Sequence, residues 1–221
     1  MPRVRGARAR GLTVAALGVT TLLAMCGAAG AHPAAAVRGS TARVAFSYDE
    51  VNALSCPSTK QCTALTPAGG QVTFNPTHGG KVITAKLFSD TLDETYAIKC
   101  PSRHLCVAAD ARGDVVGFNP TRAKAKPRYR ATLQGASYQT SVACPTASEC
   151  VLDSWQAEGY LNPAKGSSLV SNTFGANQNG ANPTATCTST TFCVGSNGNT
   201  GIIYTFNPRS PGKAKTTTLT S

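Results

Sequence analysis

The sequence predicts an all-β fold, a small β-propeller of about four four-stranded blades, because two markers recur along it in phase. Four cysteine pairs, each with five residues between the partners, begin 44, 44 and 43 residues apart. Each pair is followed by Phe-Asn-Pro or Leu-Asn-Pro, with the asparagines at Asn75, Asn119, Asn162 and Asn207. A period in the forties is the length of one propeller blade, so each copy is expected to form a blade.

Within each copy, short apolar stretches alternate with turn residues and show little helical periodicity. In the second copy they predict strands at residues 96–99, 106–109, 115–118 and 129–133, which we call strands A to D. The cysteine loop is expected to turn strand A into strand B, and the polar segment 110–114 to turn B into C. Proline in the Asn-Pro marker ends strand C, because it has no N–H to donate to a neighbouring strand.

Residues 1–31 have the organisation of a secretory signal peptide. Four arginines, Arg3, Arg5, Arg8 and Arg10, precede an apolar stretch at 12–25, and Ala29-Gly30-Ala31 supplies small residues for cleavage. Lipidation at Cys26 is the less favoured alternative, since Met25 is larger than the residue such a site needs. We expect a flexible segment at 32–41 and one propeller domain at 42–221, with repeats starting near 51, 96, 140 and 183.

The expected location is therefore secreted or extracellular, with cell-wall association as a further expectation. After signal cleavage, no segment is apolar for long enough to predict a transmembrane span.

The cysteines predict one disulfide in the A–B hairpin of each blade. Removing residues 1–31 leaves eight of the nine cysteines, all in the four pairs, and an even count in an oxidising compartment indicates disulfides. The predicted bridges are Cys56 with Cys62, Cys100 with Cys106, Cys144 with Cys150, and Cys187 with Cys193. Each short ring contributes about 2 kcal/mol through loop-closure entropy. Metal binding is the weaker alternative, because the spacing is not that of common zinc sites and no histidine recurs beside the pairs. We predict no metal and no cofactor.

The pattern Cys-Pro-Ser-x-x-x-Cys-x-Ala-x-Asp-x-x-Gly, complete at residues 100–113, resembles the repeats of secreted actinobacterial β-propellers grouped with YVTN/BNR-type proteins. The resemblance covers nearly all of the mature chain, from about residue 43 to 221. It implies a propeller and an extracellular setting, and no defined activity. Thr188 replaces the proline in the fourth copy, and no sialidase-type Asp-box is present, so sialidase chemistry is not implied.

Ring closure is open at this point, because four blades lie at the lower end of the propeller range. Residues 42–47 and 215–220 both resemble a strand D, and one of them is expected to complete the last blade by pairing the termini. An open curved array or a dimer is the alternative if the ring does not close. A β-trefoil is less favoured, since it requires threefold repetition.

Charge is predicted to separate between the two ends of the blades. The 21 Lys and Arg less the four arginines of residues 1–31 leave 17 against 10 Asp and Glu, a net charge of about +7. The A–B and C–D connections are expected at one end of the blades, and on this reading they carry eleven basic residues and one acid, Glu149. The other nine acidic residues fall at the opposite end.

The densest basic cluster has a basic residue at every second position: Arg122, Lys124, Lys126, Arg128 and Arg130. If this segment is extended, the five side chains point the same way and suit a polyanion such as wall teichoic acid, anionic lipid or extracellular DNA. The alternative is a solvated basic loop. Recognition of a defined nucleic-acid sequence is not expected, because no known DNA-reading motif is present.

A second candidate site, for glycans, lies at Asp153, Trp155 and Glu158 on the opposite end. Tryptophan stacks on sugar rings, and a suitably spaced carboxylate pair acts as acid and nucleophile in glycosidases. The alternative is that Trp155 fills an interface between blades.

No catalytic residue is assigned, since no Gly-x-Ser-x-Gly motif occurs and the mature histidines, His32, His78 and His104, form no cluster in the sequence. We therefore favour a secreted, non-enzymatic binding module for an anionic cell-wall polymer. A glycan-active enzyme or lectin and a structural envelope protein without a ligand are the alternatives.

Overall fold

The structure is a computed structural model, and the chain divides into two compact units, Met1–Val37 and Arg38–Ser221. The structure describes residues 50–78, 81–89, 95–123, 127–136, 140–154, 157–166, 170–172, 184–197, 201–210, 212 and 214–219, all of which belong to the second unit. The described residues contain no helix with the length and apolarity needed to cross a bilayer.

The described strands form four antiparallel sheets of four strands each, which confirms the predicted fold class. Each sheet is one blade, and within it the strands are hydrogen-bonded in chain order. Blade 1 contains β1 (Ala53–Ser58), β2 (Gln61–Leu65), β3 (Gly70–Phe74) and β4 (Ile83–Lys86). Blade 2 contains β5 (Thr95–Ser102), β6 (Leu105–Asp110), β7 (Asp114–Phe118) and β8 (Tyr129–Thr132). Blade 3 contains β9 (Thr140–Thr146), β10 (Glu149–Ser154), β11 (Glu158–Leu161) and β12 (Val170–Asn172). Blade 4 contains β13 (Thr184–Ser189), β14 (Phe192–Asn197), β15 (Ile202–Phe206) and β16 (Lys215–Thr218).

All four predicted disulfides are present, and each joins the first two strands of its own blade. The bridges are Cys56 to Cys62, Cys100 to Cys106, Cys144 to Cys150, and Cys187 to Cys193. The second cysteine of every bridge lies on strand B and is at most 5% exposed; these residues are Cys62, Cys106, Cys150 and Cys193. The second cysteine of each pair therefore belongs to the blade interior, whereas among the first cysteines Cys56 is exposed and Cys187 is half-buried.

The A–B turn predicted from the sequence, which takes in the whole cysteine loop, is longer than the turn in the structure. In blade 2 the ladder continues beyond Cys100 to the pair Ser102 and Leu105, so the turn itself is only Arg103 and His104. A bulge between Lys99 and Ser102 lets the strand carry the bridge and still reach the tight turn.

The Asn-Pro marker has a structural role that the proline alone does not explain. In each blade the asparagine side-chain oxygen accepts a hydrogen bond from the backbone N–H two residues further on, at 3.0–3.1 Å. This closes an Asx-turn immediately after strand C. Asparagine is therefore needed at the same place in every copy, because its side chain turns the backbone that the proline has released from the sheet.

The B–C turn of blade 2 depends on Asp110 and Gly113, as the polar segment predicted. One carboxylate oxygen of Asp110 accepts from the backbone N–H groups of Arg112 and Asp114, at 3.0 and 2.8 Å. Gly113 adopts φ 81°, and a Cβ there would lie 2.4 Å from that of Ala136. Only glycine combines this backbone conformation with the close approach.

The blades pack against one another through two distinct faces. We call the face toward the next blade in the chain the forward face, and the face toward the preceding blade the rear face. Three apolar clusters form the three junctions between consecutive blades. In the first, Leu65 and Leu87 from the forward face of blade 1 pack with Ile98, Ala108 and other residues from the rear face of blade 2.

The innermost strands also contact in chain order, β1 with β5, β5 with β9 and β9 with β13, whereas β1 and β13 do not contact each other. Among the described strands the array is therefore not closed on itself. Of the two segments expected to compete for the last blade, Lys215–Thr218 forms its fourth strand, β16, and residues 42–47 lie outside the described residues.

Candidate functional site

The A–B turns and the C–D connections lie at the same end of the blades. In blade 2 the guanidinium of Arg128, from the C–D connection, donates to the backbone oxygen of His104 in the A–B turn at 3.1 Å. Between blades, the Gln61 side chain donates to the backbone oxygen of Arg103 at 2.9 Å. We call this end, made of the A–B turns and C–D connections, the basic end.

Exposed cations from all four blades gather there. Those among the described residues are Lys60, Lys81, Arg103, Arg122, Arg128, Lys165, Arg209 and Lys215, the last of which begins β16. Lys124, Lys126 and Lys213 lie outside the described residues.

Of the five predicted anion-binding residues, the structure describes Arg122, Arg128 and Arg130, and these three differ in their surroundings. Arg122 lies in a turn, where its backbone N–H donates to the backbone oxygen of Asn119 at 3.3 Å. The extended geometry therefore does not hold at this position. Arg130 lies on β8, and its guanidinium donates to the backbone oxygen of Leu87 in blade 1 at 2.6 Å. Arg122 and Arg128 are exposed at the basic end, whereas Arg130 ties two blades together.

Glu149, the one acid predicted for this end, is almost completely buried, with 3% of its surface exposed. One of its carboxylate oxygens accepts from Arg209 of blade 4 at 2.6 Å and from the Tyr160 hydroxyl at 2.8 Å. The hydrogen bond with Glu149 raises the pKa of the Arg209 guanidinium, which stays charged. Among the described residues, the basic end therefore exposes no carboxylate.

Asp153 and Glu158, the carboxylates of the predicted glycan site, do come together. They are directly opposite each other on β10 and β11, and each is 1% exposed. Both lie on the forward face of blade 3, and the Tyr204 hydroxyl of blade 4 donates to Asp153 Oδ2. The pair is therefore part of the junction between blades 3 and 4.

Burial sets the ionisation of this pair. Desolvation, followed by the charge of Glu158, raises the pKa of Asp153 to about 7, against the lowering effect of the Tyr204 hydrogen bond. Burial and the nearby Asp153 charge also raise the pKa of Tyr204, which therefore stays a hydrogen-bond donor. Asp153 Oδ1 has no hydrogen-bond partner in the described part of the chain. A carboxyl group in this environment is close to half-protonated near neutral pH.

Trp155, the third predicted glycan-site residue, follows β10 in the sequence and lies outside the described residues. Nothing in the described structure tests the glycan hypothesis, which stays a prediction. No group of three or more His, Cys, Asp or Glu able to hold a metal occurs among the described residues.

Sequence reasoning placed Arg209 at the basic end but missed its pairing with Glu149, 60 residues away, and it missed Tyr204, 51 residues from Asp153. A comparison of equivalent positions in the four copies contains a signal for the position of Tyr204. Glycine replaces a larger residue at Gly195 on β14, opposite Tyr204 in the ladder, and a Cβ there would lie 2.2 Å from the tyrosine ring. The missing side chain leaves room for the ring to reach Asp153.

No protein-family model matches the chain, and no curated protein matches it. Among solved structures, it is similar to the Pan2 WD40 domain of Neurospora crassa, with a TM-score of 0.56 and 12% identity over 77% of this chain and 54% of that one. It is also similar to BamB from Moraxella catarrhalis, with a TM-score of 0.53 and 14% identity over 78% of this chain and 49% of that one. Identities this low establish the fold alone.

The fold and these similarities define a β-propeller repeat protein with a disulfide in each of four blades. The chain spans about half the length of each of these two propellers.

Proposed function

We propose that this protein is a secreted, non-enzymatic binding module whose basic end binds anionic polymers of the cell surface, such as teichoic acid. One observation carries the proposal: the basic end exposes cations from every blade, with Lys215 in blade 4, while Glu149, its described carboxylate, is buried and paired with Arg209. A polyanion approaching this end meets no exposed negative charge among the described residues.

A polymer fits this arrangement better than a small anion. The exposed cations are spread over four blades rather than gathered in one pocket, so a single phosphate contacts few of them. A repeating polyanion contacts several at once and releases a counterion at each contact, which makes affinity depend steeply on salt. The binding free energies of several weak contacts add on a rigid array, because the array is already ordered before binding.

Two further features support an extracellular setting. Four disulfides are typical of proteins that fold in an oxidising compartment. The resemblance of the Cys-Pro-Ser repeats to those of secreted actinobacterial β-propellers supports the same setting, and we place the chain with that group as part of this proposal.

The test is binding of the secreted protein, purified from medium, to immobilised poly(glycerol phosphate) between about 50 and 200 mM salt. Replacing Arg122 and Lys165 by Gln removes two exposed cations from the basic end. We expect weaker binding and a shallower slope of log affinity against log salt, by about 1.5, since each lost phosphate contact removes about 0.7–0.9 from the slope.

The matched control replaces Lys86 and Arg112 by Gln, which removes the same charge from exposed positions toward the opposite end. This variant should keep the parent slope. Equal losses in both double variants would show attraction by net charge alone and would refute a binding site at the basic end. Binding that ignores salt would refute the proposal as well.

A further inference from the structure

Among the described residues, exposed large apolar side chains occur only in blades 1 and 4. Those among the described residues are Val51 and Leu54, at blade 1, and Phe192 and Leu219, at blade 4, with 46–61% of their surface exposed. Blades 2 and 3 have none in their described residues. The internal repeats allow each of these positions to be compared with its equivalents.

Leu219 occupies a forward-face position that is buried elsewhere. It follows strand D, and its backbone N–H donates to the Gly201 oxygen, as Leu87 does to Gly69 and Leu133 to Gly113. Leu87 and Leu133 are 1% and 0% exposed, because each packs in the junction with the next blade. Leu219 is 61% exposed. Among the described strands, none packs on the forward face of blade 4.

Phe192 repeats this result at a second forward-face position. It immediately precedes the second cysteine of its blade, as Gln61, Leu105 and Glu149 do in the other three. Those three residues are 4%, 4% and 3% exposed, whereas Phe192 is 46% exposed. The ring of Phe192 is thus exposed at a position that is buried in the other three blades.

The rear face of blade 1 shows the complementary exposure. Leu54 lies two residues before the first cysteine, at the position of Ile98 in blade 2. Ile98 is 8% exposed, since it packs in the same cluster as Leu87 of blade 1. Leu54 is 55% exposed, and none of the described strands packs on the rear face of blade 1.

We propose that a second copy of this chain covers both open faces, so that two chains form a closed ring of eight blades. The forward face of blade 4 would pack on the rear face of blade 1 of the second copy, and a symmetric junction would form on the other side. Leu219 would then contact Leu54 of the second copy, as Leu87 packs with Ile98 within the chain. Every junction in such a ring joins a forward face to a rear face, which is the kind already present three times.

The size of related rings agrees with this assembly. This chain covers 54% and 49% of the lengths of the two propellers described above, so a ring of that size has room for two such chains. A head-to-tail contact closes when the rotation between copies divides a full turn, here one half-turn. The two copies would also present their basic ends on the same side of the ring.

The first measurement is the mass of the purified secreted protein by light scattering during gel filtration. We expect twice the mass of one chain at micromolar concentration, insensitive to salt because the contacts are apolar. Leu54→Asp and Leu219→Asp should each raise the dissociation constant at least about 100-fold, because a carboxylate would be buried in an apolar junction. Both side chains are exposed in the single chain, so circular dichroism should show that the variants still fold.

Mixing the two variants separates this arrangement from other dimers. A one-to-one mixture has one junction in which both faces are unaltered, so it should recover the mass of two chains. Gln134→Asp, which adds the same charge at an exposed position in the loop after blade 2, should leave the parent dimer intact. A single-chain mass for the parent protein would overturn the proposal, as would a dimer that only one of the two variants disrupts, or a mixture that stays monomeric.

Discussion

Replacing Asp153 with asparagine should remove a pH-dependent weakness from the junction between blades 3 and 4. Burial raises the pKa of this carboxyl to about 7, whereas an aspartate in the unfolded chain titrates near about 3.9. Between these values the folded protein holds a proton that the unfolded chain has released. The free energy of unfolding therefore falls as pH rises through this window and levels off above it.

The size of the effect follows from the shift. A pKa raised by about three units corresponds to at most about 4 kcal/mol lost between pH 4 and pH 8, at about 1.4 kcal/mol per unit. The amide of the Asp153→Asn variant carries no charge at any of these pH values, and its oxygen can still accept from the Tyr204 hydroxyl. We therefore expect the variant to exceed the parent protein in stability by about 2–4 kcal/mol at pH 8.5, and by much less at pH 5.

The assay is urea unfolding at the two pH values and one protein concentration, followed by the fluorescence of Trp155, the only tryptophan of the chain. Asp114→Asn is the control, because Asp114 is an exposed carboxylate at the B–C turn of blade 2. It should leave the difference between the two pH values as in the parent. The reasoning is wrong if Asp153→Asn keeps the full loss of stability between pH 5 and pH 8.5.

Three other substitutions test the local devices of the blade. Gly113→Ala should lower the free energy of unfolding by more than about 1 kcal/mol, since it combines a positive φ with a clash; thermal unfolding measures this. Asn119→Ala should cost about 1 kcal/mol by removing the acceptor of the Asx-turn, and an equal cost for Asn119→Asp would contradict that role, because Asp keeps the acceptor. Replacing Cys100 and Cys106 together by Ser should cost at least about 2 kcal/mol, as urea unfolding would show, because the bridge is buried as well as ring-closing.

Much of the blade could be predicted from the sequence because its determinants are local. Three features act within a few residues of their own positions: the cysteines, the turn at 110–114 and the Asn-Pro marker. From them the positions of all four strands of blade 2 could be predicted. What could not be predicted depends on contacts between blades. The hydroxyl that donates to Asp153 comes from Tyr204, and the guanidinium that pairs with Glu149 comes from Arg209, each in the following repeat.

Whether the ring closes could not be predicted from the sequence, for a related reason. It depends on the rotation between neighbouring blades, which accumulates from the packing of side chains at each junction. The repeat number alone does not contain that angle. The contrast between Leu54 and Ile98, two residues of similar character at equivalent positions, becomes visible only when their exposure is known.

Every sulfur bridge joins residues six positions apart, inside one hairpin. Eight cysteines have about a hundred alternative pairings, and a chain whose partners are distant must sort among them. Here each partner arrives next after its mate, so a hairpin can be oxidised as soon as it enters an oxidising compartment and before the following cysteine emerges. Under the proposed export, which delivers the polypeptide N-terminus first, the native connectivity would be selected without reshuffling.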